Sequence, residues 1–169
     1  MKNVILVGMP SCGKSTVGVI LAKVLNKGFV DTDLLIQQQE GKTLQNIINE
    51  KGNDYFHQVE EQVLLDFDGV NFVVATGGSA IYFDSAMTKF KENGTVVYLQ
   101  VSLETVLERL HNITTRGVTL AKGQTLEDLY YQRIPLYEKH ADQVITCDGL
   151  TVEQVVERIA QVVEKEKTQ

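Results

Sequence analysis

The chain of 169 residues has no tryptophan, only two prolines and two cysteines, and no run of basic residues. At a net charge of −6 it lacks the clustered Lys and Arg on which broad nucleic-acid binding depends. No apolar stretch approaches the length of about 18 residues that a membrane-spanning helix needs, and the first strand pattern starts too early for a signal peptide. Cys12 and Cys147 have no metal-ligand spacing, which predicts free thiols. We therefore expect a cytoplasmic monomer without nucleic-acid or membrane partners.

Length and composition predict one domain over residues 1–169, because the chain is long enough to bury a core and is 43% hydrophobic. Short apolar runs alternate with stretches of helical periodicity. This alternation predicts an α/β fold of three layers, with a five-stranded parallel sheet between helices on both faces. Strands are predicted near residues 4–7, 29–30, 72–75, 96–99 and 143–146. Helices are predicted over 17–25, 34–40, 43–67 with a break near Gly52, 85–92, 103–110, 126–140 and 152–163.

Residues 8–16 read G-M-P-S-C-G-K-S-T, the G-x-x-x-x-G-K-[ST] pattern of a phosphate-binding P-loop set between an apolar run and a helix. Glycines let backbone N–H groups approach phosphate oxygens, and the helix adds its positive N-terminal end. Lys14 is expected to reach the β- and γ-phosphates of ATP, and Ser15 to join the coordination of Mg²⁺. Cys12 is either a small filler or a reactive thiol. The predicted nucleotide ligands here are Gly8, Ser11, Cys12, Gly13, Lys14, Ser15 and Thr16.

Two further segments follow predicted strands directly, where ligands bind in open parallel sheets. Asp31-Thr32-Asp33 places two carboxylates at the end of the second strand. Thr76-Gly77-Gly78-Ser79 follows the third, and its glycines indicate either backbone that approaches a ligand or a plain tight turn. The polar segment 111–124 has no periodicity, which is typical of a functional lid.

The P-loop alone does not separate kinases, GTPases, motor ATPases and transporters. The chain shows no Asn-Lys-x-Asp guanine motif and has little room for oligomerisation elements. A small kinase fits better, because phosphoryl transfer needs a lid that excludes water, a cation on the transferred phosphate and an acid near the acceptor hydroxyl.

In these motifs the chain resembles the shikimate kinase family from Asn3 to about Gly149. The combination is more specific than any single motif. The motifs that carry the resemblance are the P-loop, Asp31-Thr32-Asp33, Phe56 and Glu60, Thr76-Gly77-Gly78, Arg116, and Arg133-Ile134-Pro135-Leu136-Tyr137.

The resemblance implies how an acceptor is held. Asp33 would orient and help deprotonate the attacking hydroxyl, and Asp31 would be an outer partner of Mg²⁺, although either acid suits a helix N-cap. Arg133 would grip a substrate carboxylate with both arms of its guanidinium. Gly77 and Gly78 would lie along the substrate.

The resemblance also implies a helical substrate-binding insert over about 33–68 and a lid over about 111–124. Arg116, in that lid, would reach the phosphates and act in catalysis with Lys14 and Asp33, although it also suits a solvated loop. Arg109 would pack on adenine, or else is a surface arginine.

Two residues and one short segment depart from the family pattern. His57 stands where the family has an arginine on the substrate carboxylate, so a neutral imidazole would weaken carboxylate binding there. Ser79 replaces the third glycine after the third strand and adds a side chain to the predicted acceptor site. In the lid, Gly117-Val118-Thr119 replaces Pro-Leu-Leu after Arg116, which removes a stiffening proline.

The sequence therefore predicts ATP- and Mg²⁺-dependent phosphorylation of the 3-hydroxyl of shikimate, a step of aromatic amino acid biosynthesis. Two other possibilities stay open. One is a kinase of the same fold acting on a related hydroxy acid or polyol, which the departures at His57 and Ser79 motivate. The other is a nucleotide-binding homologue without catalytic activity, although an acceptor-site acid such as Asp33 is unnecessary in a pure binder.

Overall fold

The computed structural model describes residues 2–110 and 117–166. Its strands are β1 (Asn3–Val7), β2 (Gly28–Asp31), β3 (Phe72–Ala75), β4 (Gly94–Gln100) and β5 (Gln143–Thr146). They form one five-stranded sheet in the order β2-β3-β1-β4-β5, in which every pairing is parallel. The predicted five-stranded parallel sheet is confirmed.

Seven α-helices connect and cover the described strands: α1 (Lys14–Val24), α2 (Thr32–Glu40), α3 (Leu44–Asp66), α4 (Asp84–Asn93), α5 (Leu103–Arg109), α6 (Leu126–His140) and α7 (Val152–Glu166). Contacts of α1 with α7, and of α4 with α3 and β4, place helices on both faces of the sheet, as predicted. The periodicity did not predict a short 3₁₀ helix at Ala80–Tyr82 or the start of α2 at Thr32. In both places polar or glycine-rich sequence interrupts the helical pattern.

The central strand β1 lies wholly in the core, and each of its five side chains is buried. A continuous apolar run suits this position, because helices cover both faces of a parallel sheet. The main core extends from β1 through β3 and β4 to the inner faces of α1, α6 and α7. Burying this surface is the main force that holds the phosphate loop at the end of β1.

Helices α2 and α3 pack on each other around a second, smaller core made of Ile36, Leu44, Ile47, Phe56, Val59 and Val63. The chain of α3 bends at Gly52, whose φ of 84° and ψ of 171° are not helical, so the predicted break is confirmed. After the bend, Phe56 and Glu60 in the second half of α3 line the cleft.

The chain leaves β3 on one side of β1 and enters β4 on the other. Ligands of open α/β sheets bind beyond the carboxyl ends of the strands at such a reversal of strand order. None of the helices in the described part of the chain is long and apolar enough to cross a membrane.

Candidate active site

The carboxyl ends of β1, β2 and β3 lie level with one another. Leu6 pairs with Ala75, and Ala75 pairs with Asp31, so the segments after these strands leave the sheet at one edge. Thr76 fastens the end of β3 to β1, because its N–H and its hydroxyl both donate to the Leu6 carbonyl, at 3.2 and 2.9 Å. The strand register therefore brings together the P-loop, the acidic turn (Asp31-Thr32-Asp33) and the glycine turn (Thr76-Gly77-Gly78-Ser79).

The P-loop is held tightly at its start. Gly8 has a φ of 152°, and a β-carbon there would lie 2.8 Å from both the Cys12 sulfur and the Leu99 carbonyl oxygen. The ammonium of Lys14 donates to the carbonyls of Gly8 and Met9 at 2.7 and 2.9 Å. Cys12 is buried, and its N–H donates to Met9 inside the loop. The Lys14 ammonium lies 3.6 Å from the Cys12 sulfur, and the role of Cys12 as a filler or as a reactive thiol stays a prediction.

The acid that caps helix α2 is Asp31, and Asp33 lies in the first turn. One oxygen of Asp31 accepts from the Asp33 N–H at 2.9 Å, and the other accepts from the Ser15 hydroxyl at 2.5 Å. This leaves the Asp33 carboxylate available to face the cleft. A hydroxyl and a carboxylate side by side at the P-loop are the hard oxygen ligands that Mg²⁺ prefers, so Ser15 and Asp31 fit the predicted metal.

Asp33 and Glu60 converge over Gly77. A β-carbon on Gly77 would lie 2.7 Å from Oδ1 of Asp33 and 2.8 Å from Oε1 of Glu60. Burial and the nearby charge of Asp31 raise the pKa of Asp33 to about 6, and the charge of Lys14 opposes this rise only weakly. A carboxylate with this pKa is mostly ionised at neutral pH and is a better proton acceptor than an ordinary aspartate. The glycine is thus needed because its missing side chain leaves room for two carboxyl groups.

Glu60 is a site residue that the site prediction left out. It is 1% exposed, and burial raises its pKa to about 7, against the effect of a hydrogen bond from Ser79. Oε2 accepts from the Ser79 hydroxyl at 2.5 Å, whereas Oε1 is buried without a hydrogen-bond partner among the residues described. The sequence does contain a signal, since Glu60 falls on the apolar stripe of α3 with Phe56 and Val63, where an acid is costly.

Ser79, one of the departures, therefore binds Glu60 within the protein. Its side chain is 5% exposed and lines the cleft beside its hydrogen-bond partner.

Arg133, on α6, lines the same cleft as the P-loop and is 1% exposed. Its guanidinium carbon is 5.5 Å from the centre of the Tyr82 ring, and Nη1 would be 2.9 Å from a β-carbon on Gly78. Nε has no hydrogen-bond partner in residues 2–110 and 117–166. One turn later, Tyr137 donates to the Gly78 carbonyl at 2.6 Å and fixes the glycine turn to the same helix. Arg133 thus presents a buried cation to the cleft, suited to a carboxylate.

His57 does not line the cleft, in contrast to Phe56 and Glu60 on the same helix. Its ring centre lies 5.8 Å from that of Phe56 and 6.2 Å from that of Phe83. Burial, followed by the charge of Arg133, lowers the pKa of His57, which favours the neutral imidazole. The Nε2 atom lies 3.3 Å from the hydroxyl of Thr119.

Only the last part of the predicted lid is described, and Arg116 lies outside the described residues. Gly117 has a φ of 63° and lies so close to helix α3 that a β-carbon would be 2.7 Å from Cβ of Leu44. Proline cannot adopt this φ, so the departure from the family pattern at this position has a structural reason. Further along, the Leu120 carbonyl accepts from Asn53 at 3.3 Å.

One cleft of about 470 Å³ joins these groups. Asp31, Gly8, Cys12 and His57 are outside its lining, and the exposed Arg109 donates to the Ser11 carbonyl at 3.1 Å. Predicted residues that line the cleft are Ser11, Gly13, Lys14, Ser15, Thr16, Asp33, Gly77, Gly78, Ser79, Arg109 and Arg133. Lining residues without a predicted role are Pro10, Leu44, Phe56, Glu60, Thr76, Glu108, Gly117 and Val118.

Comparison with solved structures finds the same fold in two enzymes. Shikimate kinase from Acinetobacter baumannii, solved in complex with shikimate, is 31% identical and superposes with a TM-score of 0.92 over 100% of this chain and 96% of its own. The enzyme from Aquifex aeolicus is also 31% identical and superposes with a TM-score of 0.85 over 98% of both chains.

Sequence comparison extends this likeness to curated relatives. The shikimate kinase of Persephonella marina is 39% identical over 94% of this chain and 97% of its own length. That of a Sulfurihydrogenibium species is 41% identical over 94% and 96%. The family model for shikimate kinase matches residues 10–164, a range that contains both Lys14 of the P-loop and Arg133. Because this match covers most of the chain and the relatives align over nearly their full lengths, the chain belongs to the shikimate kinase family.

Proposed function

We propose that this chain transfers the γ-phosphoryl group of ATP to the 3-hydroxyl of shikimate. The observation that carries the proposal is a single cleft lined by the P-loop, by the Asp33 carboxylate and by the buried guanidinium of Arg133. An acceptor with a hydroxyl and a carboxylate matches the acceptor end of this cleft.

At the donor end, N–H groups of the P-loop and the N-terminus of α1 would hold the phosphates, and Lys14 would turn from its loop carbonyls to the transferred phosphate. Arg109, tethered to Ser11, would lie against adenine. Arg116 would add a second cation from the lid. Ser15 and Asp31 would hold Mg²⁺, which supplies charge neutralisation on the β- and γ-phosphates.

At the acceptor end, Arg133 would bind the carboxylate and Gly77-Gly78 would lie along the ring of the acceptor. Asp33 would then accept a hydrogen bond from the attacking hydroxyl and take its proton as the bond to phosphorus forms. Ser79 keeps Glu60 in place beside Asp33. His57 would contribute through its neighbours, since it lies outside the cleft lining.

We further propose that residues 33–68 act as the substrate-binding insert and residues 111–124 as the lid of one domain. Contacts of Gly117 with Leu44, and of Leu120 with Asn53, support the idea that these two parts close on each other. Location in the cytoplasm and a monomeric state stay predictions from the sequence.

The test is release of ADP with Mg²⁺ and ATP in the presence of shikimate, quinate, other hydroxy acids and nucleoside monophosphates. We expect shikimate to give the highest kcat/KM of this panel. Absence of shikimate-dependent ADP release at millimolar substrate would reject the proposed acceptor. Activity with another acid would instead support a related kinase, and binding of ATP without turnover on any acceptor would indicate a homologue without catalytic activity.

A further inference from the structure

Thr119 connects the lid to the acceptor end of the cleft. It is 7% exposed and lies two residues after the contact of Gly117 with Leu44 and one before the contact of Leu120 with Asn53. Its backbone is thus held against the helical insert on both sides. The position of the Thr119 hydroxyl is therefore restricted, and so is the set of groups to which it can hydrogen-bond.

Two side chains face this hydroxyl. Oγ1 of Thr119 lies 3.4 Å from Nη2 of Arg133 and 3.3 Å from Nε2 of His57. A guanidinium only donates hydrogen bonds, so Oγ1 accepts from Arg133. The hydroxyl proton is then available to Nε2 of His57, provided the imidazole is neutral with its proton on Nδ1.

The environment of His57 suits an acceptor. Burial and the Arg133 charge lower the pKa of the ring, which favours the neutral form. The rings of Phe56 and Phe83 flank it, so its orientation is restrained by packing. The chain Arg133, Thr119, His57 is therefore directional, with each group donating to the next.

We propose that Thr119 is a positioning residue for acceptor binding: its hydroxyl, oriented by His57, holds the Arg133 guanidinium in the position that receives the substrate carboxylate. This rests on the proposed function, because it takes Arg133 as the carboxylate ligand. It gives His57 a role as an acceptor that orients Thr119, in place of a direct substrate contact.

The first experiment compares Thr119→Val, which keeps the shape and removes the hydroxyl, with Thr119→Ser, which keeps the hydroxyl. We expect Thr119→Val to raise the KM for shikimate about fivefold, because a hydrogen bond to a charged group is lost. Its kcat and its KM for ATP should stay within about twofold of the parent. Thr119→Ser should have a KM for shikimate close to that of the parent, and Thr119→Ala repeats the deletion if the valine variant melts at a lower temperature.

A double-mutant cycle tests the direction of the chain. His57→Phe keeps an aromatic ring between Phe56 and Phe83 but removes the acceptor, and should raise the KM for shikimate about threefold. In a Thr119→Val background the same change should have no further effect, because there is no hydroxyl left to orient.

The outcomes separate this inference from the function on which it rests. If the parent and Thr119→Ser release no ADP with shikimate, the proposed function fails and the inference with it. If both are active but Thr119→Val has the parental KM, the positioning role is wrong. Equal losses in Thr119→Val and Thr119→Ser, or additive effects with His57→Phe, would show a packing role alone and would also overturn it.

Discussion

The two ends of the cleft are built in different ways. In the proposed function, the donor end takes its phosphate ligands from residues 8–16, which form the loop after β1 and the first turn of α1. The acceptor end draws on helices α2, α3 and α6, on the turn after β3 and on the lid segment. The donor end therefore depends on local backbone geometry, while the acceptor end depends on long-range packing. His57, Ser79 and Thr119 all lie outside the phosphate loop, so changes at these positions leave its local geometry unaltered.

The two ends also differ in the hydrogen-bond partners of their charged groups. The Lys14 ammonium has loop carbonyls as partners. At the acceptor end, two ionisable side chains have buried atoms without hydrogen-bond partners among the residues described, Arg133 Nε and Glu60 Oε1, whereas the unpartnered buried atom of the P-loop is the neutral hydroxyl of Ser11. Such groups cost stability in the free protein, and a bound acceptor that satisfies them recovers that cost. Buried polar groups without partners are expected where a bound ligand supplies the missing hydrogen bonds.

The largest effect is expected from Asp33→Asn, which removes the proton acceptor between the two ends and keeps the shape of the side chain. We expect kcat to fall about 1,000-fold, the range of a lost general base. Affinity for ATP should change little, because the donor end stays intact. Steady-state kinetics and calorimetry with ATP measure the two quantities. A variant with parental kcat would contradict the role of Asp33.

Arg133→Lys should affect binding of the acceptor without affecting binding of ATP. Lysine keeps the charge but loses the planar fork, so the KM for shikimate should rise about 100-fold while the KM for ATP stays near that of the parent. Kinetics with each substrate varied in turn measure the split. An equal rise in both KM values would mean that Arg133 does not belong to the acceptor end alone.

Glu60→Gln tests the raised pKa of the buried acid through the pH dependence of the free energy of unfolding. Because burial raises the pKa of Glu60 from its ordinary 4.5 to about 7, the folded state holds a proton that the unfolded state releases in this window. Stability therefore falls as pH rises through the window, and glutamine abolishes that loss. We expect the free energy of unfolding of Glu60→Gln to exceed that of the parent by up to about 3 kcal/mol near pH 8.

Urea unfolding of parent and variant at several pH values checks this. The advantage should vanish below the ordinary pKa of 4.5, where glutamate is protonated in both states. A constant difference across the range would show that the carboxyl group of Glu60 does not titrate as described.

The smallest effect is expected from Gly117→Ala, compared with Gly123→Ala. Both glycines have positive φ, at 63° and 80°, but only Gly117 would place a β-carbon against Leu44, whereas that of Gly123 would meet open space. Backbone strain is thus common to the two variants, and loss of docking is specific to the first. We expect kcat/KM for shikimate to fall about fivefold in Gly117→Ala and less than twofold in Gly123→Ala. Equal losses would exclude docking of Gly117 on the insert as the cause.

Sequence alone determined the P-loop pattern, the strand segments and most helix bounds, because each depends on residues close together in the chain. The P-loop pattern and the runs of β1 and β3 are local signals of this kind. The parallel sheet was predicted from the alternation of strands and helices, although its paired residues, such as Val4 and Val73, are far apart in the chain. The sequence also placed Asp31 and Asp33 at a strand end, but it left open which of them caps α2. Only the structure shows Asp31 as the cap, since capping depends on the extended backbone of Asp31 and on the hydrogen bond that its side chain accepts from the Asp33 N–H.

Tertiary structure decided what the acceptor-end departures mean. No pattern in the sequence links Ser79 to Glu60, or Thr119 to His57 and Arg133, since these partners are 14 to 62 residues apart. Their meeting depends on the bend of α3 at Gly52, on the strand order and on a glycine at position 117 with positive φ. Side-chain contacts at such separations follow from how the elements pack, which local periodicity does not encode.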